Sequence, residues 1–441
     1  VAKVRKPFHL DIFHKIILTF LSFNSKFSGN TNIYEVNIRQ YTPEGTFKAF
    51  EAHLPRLKAM GVEILWLMPI HPIGALNRKG GLGSYYAVRD FNAVNPEFGS
   101  TEDFRNMVSS IHKLGMKVIL DWVANHAAWD NVWTIVHPEF FVRSAEGEFM
   151  PPFDWTDVIQ IDHAHGGQQQ AMTDAMKGWI KDFDIDGFRA DLAHLTPLSF
   201  WINARKKTEA IKSNLIWLAE TEDISYHEAF DISFTWNWMH ACENVCRHES
   251  QVNMLADVLK SYHTDFPTNA FRLFFTSNHD ENTWNGTEYE KYGQFASLLT
   301  IFSFTYTSIP LLYSGQELPN LRRLPFFEKD ALDWSGEVSL YEFYKKLYSL
   351  RKSHAALLEN HSGIEVPLFV INEHVLLYYR SHANHLLLVV MNFGNDITEA
   401  RFENEVCYGS FEDYFTGLQF ELNGSLELVI QPGSCFLLIN K

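Results

Sequence analysis

The feature that most constrains this chain is a rhythm of eight apolar stretches separated by segments of helical length. They read "NIYEVNIRQY", "VEILWLMPI", "MKVILDW", "DGFRAD", "LIWLAE", "FDISFTW", "RLFFTSNHD" and "IPLLYSG". Between them lie amphipathic stretches. "FKAFEAHLPRLKAM" reads as one helix stopped by Gly61, and "TEDFRNMVSSIHKLG" opens with a Thr cap and puts Phe104, Met107, Val108, Ile111 and Leu114 on one face. Apolar strands alternating with helices imply right-handed crossovers and a parallel sheet. Eight such units close a (β/α)8 barrel, which needs about 250 of the residues available. "SLYEFYKKLYSLRKSHAAL" is expected to be the last helix of the ring.

Two segments break the rhythm. Residues 127–165 far exceed an ordinary βα loop of roughly 2 to 6 residues, and an excursion at this face of a barrel shapes the active site. From residue 358 the pattern turns to short alternating strands, "VLLYYRS", "HLLLVVMNF", "LELVI" and "CFLLIN", which predict a C-terminal antiparallel β-sandwich. The expected organisation is therefore a loosely attached leader (1–30), a barrel in two parts (31–126 and 166–357), the excursion (127–165) and the sandwich (358–441). The leader's apolar run is too short to span a membrane, and Asp11, His14 and Lys15 interrupt it as a secretion signal. No transmembrane segment is expected, and the compartment stays open, with the cytoplasm favoured over a secreted or periplasmic location.

A net charge of -16 argues against a nucleic-acid partner, which needs a basic face. Four cysteines in 441 residues do not make a disulfide framework and are read as structural or incidental. Oligomeric state leaves no mark in the sequence.

Charges stand where the buried strands stop. Asp121 closes the third strand, Arg189 and Asp191 the fourth, Glu220 the fifth, and His279 with Asp280 the seventh. In a barrel these ends converge on one rim, where catalytic side chains sit. A single such carboxylate would read as a cap or a salt bridge, but four at one register do not. With no phosphate loop and no thiolate metal site, they fit glycoside cleavage, where one carboxylate attacks the anomeric carbon and another protonates the departing oxygen. Asp191 is then the nucleophile, and Arg189, two residues away on the same strand face, its electrostatic partner.

The ordered motifs "DWVANH" (121–126), "GFRADLAH" (187–194), "WLAE" (217–220) and "SNHD" (277–280) resemble those of the alpha-amylase family, glycoside hydrolase family 13. The resemblance covers roughly residues 32–441. It implies Asp191 as nucleophile, Glu220 as general acid/base and Asp280 as the carboxylate that holds sugar hydroxyls near the reacting carbon. It also implies Arg189, His126 and His279 lining the same subsite, Tyr86 rather than Tyr85 stacking beneath the sugar, and a mainly structural Asp121. The implied chemistry is double displacement with retained configuration on α-1,4-glucans of starch or maltooligosaccharides. The mechanism asks for a protonated Glu220 and an ionised Asp191. A transglycosylase or isomerase using the same intermediate is the alternative, and a non-catalytic glucan-binding protein stands further off because all three carboxylates are intact.

Two positions depart from the family pattern. Many members hold calcium through an asparagine matching Asn125 and an aspartate of the excursion, but Gln160 stands at the aligned position here, and Leu195 replaces a usual histidine. Gln lacks the charge that makes calcium sites tight. No cofactor is therefore expected to be required, a structural calcium at Asn125 being the weaker expectation. Trp122, Trp129, Trp133 and Trp155 are candidates for sugar platforms or for ordinary core.

Overall fold

The computed structural model describes Phe27 and residues 31–440, so the expected leader otherwise lies outside the described residues. Eight parallel strands close a barrel in sequential order. They are β1 (Ile33–Val36), β2 (Ile64–Leu67), β3 (Lys117–Trp122), β4 (Gly187–Ala190), β5 (Ile216–Ala219), β6 (Ile232–Phe234), β7 (Phe271–Phe274) and β8 (Ile309–Tyr313). Each falls inside one of the eight apolar stretches. Closure comes from β8 pairing with β1, with Ile33 opposite Leu311.

One column of side chains fills the barrel: Ile33, Ile64, Trp66, Ile119, Ile216, Leu218, Ile232, Phe234, Leu273, Ile309 and Leu311, all buried. Each contributes about 1.5–3 kcal/mol by leaving water. Gly187 opens β4 because a Cβ there would stand 2.0 Å from the Ile216 carbonyl oxygen of β5. The strands can be this close only where that side chain is missing.

Helices cover the barrel, with two local corrections to the sequence reading. The stretch read as one helix is two, Phe47–Glu51 and Leu54–Met60, because Pro55 has no N–H to give and its ring clashes with the carbonyl four residues back. The helix Thr101–Lys113 is capped by Ser100, not Thr101, in a reciprocal capping box with Asp103. No helix among the described residues is long and apolar enough to cross a membrane.

Between β3 and the helix Gly166–Phe183 the chain forms an antiparallel ribbon, His126–Ala128 against Val158–Gln160, which roofs one side of the barrel mouth. The C-terminal strands are β9 (Leu368–Val370), β10 (Val375–His382), β11 (His385–Asn392), β12 (Thr398–Asp413), β13 (Gln419–Ile430) and β14 (Cys435–Asn440). They form an antiparallel sheet in the order β9-β10-β11-β14-β12-β13. A register shift between Glu403 and Tyr408 interrupts the β12–β13 pairing. Phe369 of β9 meets Phe402 of β12 at 4.8 Å although those strands are not neighbours, so the sheet curls over its own core of Val375, Leu377, Leu388 and Leu426.

Candidate active site

The ladder between strands runs one residue past their ends. The Asp191 N–H donates to the Trp122 carbonyl (3.0 Å) and the Glu220 N–H to that of Ala190 (3.1 Å), which fixes where both carboxyls start. Arg189, opposite Asp121 in register, is fully buried and serves as a hub. Its Nη1 donates to Asp121 Oδ1 (2.8 Å) and Asp191 Oδ1 (3.0 Å), and its Nη2 lies 2.9 Å from Glu220 Oε2. Only Asp191 was expected as a partner of this arginine; it has three. Its guanidinium also sits 4.9 Å over the Trp66 ring, a favourable cation–π distance.

The turn after Asp191 is strained to a purpose. Leu192 adopts φ +38, a left-handed conformation rare for a branched side chain, and so aims its N–H at Glu220 Oε2 (2.7 Å). Such strain costs on the order of 1–3 kcal/mol and gathers at functional sites. Glu220 Oε2 is thus committed to the N–H of Leu192 and to Arg189, while Asp191 Oδ2 is buried without a hydrogen-bond partner among the described residues.

Asp280 arrives differently. β7 ends at Phe274, and the chain runs on to His279 and Asp280 before a π-helical turn, Glu281–Asn285. Asp280 Oδ2 is 3.3 Å from His279 Nε2, and Trp284 Nε1 donates to Oδ1 (3.2 Å). His279 stacks on Tyr86 at 5.4 Å, and its Nδ1 is 2.5 Å from Glu35 Oε1 of β1. The Tyr86 hydroxyl is 2.7 Å from His279 Nε2 and donates to Asp121 Oδ2 (3.0 Å), which also accepts from Trp66 Nε1 (3.1 Å).

A cavity of about 480 Å³ is lined by Asp191, Glu220 and Asp280 with Tyr86, His126, Trp155 and Trp284, while Arg189 and His279, expected in the same subsite, stand buried behind that lining. That is the size of a small-ligand site. A cavity of about 510 Å³ between the helix Asn253–Asp265 and β9 holds none of the strand-end carboxylates. Tyr86 lines the site; Tyr85 instead lies under Arg39. Of the four candidate tryptophans, Trp155 lines the cavity, whereas Trp122 and Trp133 are core and Trp129 donates to the Thr156 carbonyl.

Burial sets the electrostatics, with neighbours deciding the direction. Burial pushes the Asp191 carboxyl well above its ordinary range against the pull of Arg189, and nearby Glu220, Asp121 and Asp280 push the same way. Glu220 is raised by burial too, again against Arg189 and helped by Asp280. Against burial, His279 and Arg189 hold Asp280 below the usual carboxylate range. His279 is raised well above an ordinary histidine: burial opposes, but Asp280 and Glu35 prevail. Burial takes His126 down to about 4, so it is neutral.

Asn125 is buried, its carbonyl accepting from the Ile161 N–H and its side-chain nitrogen 3.4 Å from His126 Nδ1. Among the described residues, no three His, Cys, Asp or Glu side chains come together as a metal cage. Asn125 offers a hard cation only a neutral amide oxygen, a weaker donor than a carboxylate.

Sequence reasoning missed Glu35, Trp284 and Phe326. Glu35 had a signal, a charge inside the buried strand "IYEV". Trp284 and Phe326 line the cavity from segments without periodicity.

The family model for the alpha amylase catalytic domain matches residues 22–160. An alpha-amylase from Lactobacillus plantarum superposes with a TM-score of 0.85 at 30% identity, covering 94% of this chain and 99% of that one. The chain belongs to the alpha-amylase family. A maltogenic alpha-amylase from Thermotoga neapolitana is similar at a TM-score of 0.84 and 30% identity, covering 93% and 99% of the two chains. The alpha-amylase MalA of Haloarcula japonica is 27% identical over 385 residues, covering 83% of this family member. The chain spans only 56% of that relative's length.

Proposed function

We propose that this family member is a retaining hydrolase of α-1,4-linked glucans or maltooligosaccharides. Asp191 Oδ2 attacks the anomeric carbon as Glu220 gives a proton to the departing glycosidic oxygen. Water deprotonated by Glu220 then releases the sugar from Asp191. The observation that carries this reading is the single guanidinium of Arg189 reaching both Asp191 and Glu220. Held on adjacent prongs, the two carboxyls favour the close separation of retaining enzymes, about 5 Å, over the wider inverting gap.

Burial raises both carboxyls, Asp191 more strongly than Glu220, so the expected ionised Asp191 is not what burial alone favours. Five carboxyls, Glu35, Asp121, Asp191, Glu220 and Asp280, meet two cations, Arg189 and His279, so the buried cluster retains a proton. Asp191 and Glu220 titrate as a pair that keeps it. Glu220 Oε1, turned away from the Leu192 N–H, is the atom to carry it toward the leaving group. Asp280 holds the hydroxyls of the reacting sugar, with His279 behind it and Tyr86 beneath the ring. His126, at the end of the barrel's first part, and Trp155 of the excursion bound the cavity. No step requires a metal ion.

The test is incubation with maltoheptaose, products followed by chromatography and their anomers by NMR. Shorter oligosaccharides appearing first as α-anomers are expected. First-formed β-anomers would overturn retention, and products longer than the substrate would replace hydrolysis by glycosyl transfer.

A further inference from the structure

His279 Nε2 faces the Tyr86 hydroxyl, and a hydroxyl has one proton to give. Tyr86 gives it to Asp121 Oδ2, an oxygen that already accepts from Trp66, on a carboxylate whose other oxygen accepts from Arg189. Tyr86 must therefore accept from His279, so Nε2 carries a proton. On the far side of the ring Nδ1 faces Glu35 Oε1 at 2.5 Å, an acceptor wherever Glu35 is ionised. Both nitrogens then carry protons. With Glu35 and Asp121 ionised, the direction of the hydrogen bonds makes His279 an imidazolium.

We infer that Glu35, on β1, is the positioning residue that keeps His279 an imidazolium beside Asp280, the carboxylate that faces the reacting sugar. The logic is that of a carboxylate fixing the tautomer of an active-site histidine. Glu35 and His279 are both buried, their side chains 0% and 2% exposed, so water cannot supply the proton acceptor in place of the carboxylate. Nothing else on β1 can: its other residues are Ile33, Tyr34 and Val36. The charged groups around the ring are Glu35 from β1, Asp121 from β3, Arg189 from β4, Glu220 after β5 and Asp280 beside it, with the Tyr86 hydroxyl after β2. Arg189 disfavours the imidazolium and the carboxylates favour it. Glu35 is the member of this set that touches Nδ1 and never meets the cavity. It acts on substrate only through the histidine.

The test has an arm that needs no substrate. ¹⁵N NMR of histidine-labelled protein, with the His279 signal assigned by its loss in His279→Gln, is expected to show both ring nitrogens protonated up to about pH 8. In Glu35→Gln the signal moves to a neutral ring at that pH. The kcat/KM profile of that variant gains a basic limb at roughly pH 6–8 that the wild type lacks. Glu35→Asp, shorter by one methylene, recovers part of the charge. A wild-type His279 carrying one proton at neutral pH would overturn the inference even if Glu35→Gln failed to fold. So would a Glu35→Gln profile that superposes on the wild type after scaling. The kinetic arm rests on the proposed hydrolysis; a wild type inactive on every glucan would sink that reading and leave the NMR arm to decide this one.

Discussion

The two ends of the same barrel strands make the most instructive comparison in this molecule. At the lower end the inward column is aliphatic: Ile33 on β1, Ile119 on β3, Leu218 on β5. One pleat further along, the inward residue is Glu35, Asp121 or Glu220. A two-residue step changes the same face from packing to chemistry, because successive side chains alternate and every second one points inward. The lower layer gains free energy from burial. The upper layer loses some, holding more negative than positive charge in a place where charge is costly. The lesson is that stability and activity are stacked in separate layers of one wall.

Substitutions should separate the layers cleanly. Asp191→Asn is expected to lower kcat/KM on the order of 10⁴-fold or more while the melting temperature rises, since a buried carboxyl with a raised pKa is removed. A variant that is both inactive and less stable would break the comparison. Leu218→Ala, one pleat below Glu220, should do the reverse. It should cost about 2–5 kcal/mol in denaturant unfolding, with kcat/KM of the folded fraction changed far less than in Asp191→Asn.

A smaller effect is expected with pH. Asp191 and Glu220 have folded pKa values above their unfolded ones, so between the two the native state binds more protons. Their contribution to stability therefore falls as pH rises from about 4, the unfolded carboxylate value, through the raised values. The melting-temperature gap between Asp191→Asn and the wild type should widen over that window. Activity has the opposite acid limb: kcat/KM should fall as pH drops through the raised pair, at a pH above the ordinary aspartate value. A limb at about 4 would show the carboxyls to be unperturbed. The smallest expected effect is none: chelator should leave rate and melting temperature unchanged, and a loss of either would restore calcium to the Asn125 region.

The layered wall also explains how much was legible beforehand. The eight strands were readable because burial on both faces writes long apolar runs, and Asp121, Arg189, Asp191 and Glu220 because a charge ending such a run contradicts packing. The Pro55 break was readable in principle, since proline inside a helical pattern ends the helix before it. Glu35 was not, although its charge stood in plain view, because its meaning depends on His279, a residue far along the chain. Arg189 was half legible: its neighbour Asp191 is local, but Asp121 and Glu220 reach it only once β3, β4 and β5 stand side by side. Trp284 comes from a π-helical turn, and no simple sequence period marks it.

The pairing of Ile33 with Leu311 has a consequence for synthesis. At roughly 5–20 residues per second, tens of seconds separate the emergence of β1 from that of β8. Throughout that interval β1 has a free strand edge, and Glu35 has no histidine to charge until the segment after β7 appears. The unfinished barrel must wait with an open seam, exposed to pairing with other nascent chains. In this architecture the last strand closes the wall and completes the site in the same event, so a truncated or stalled product is at once sticky and inert.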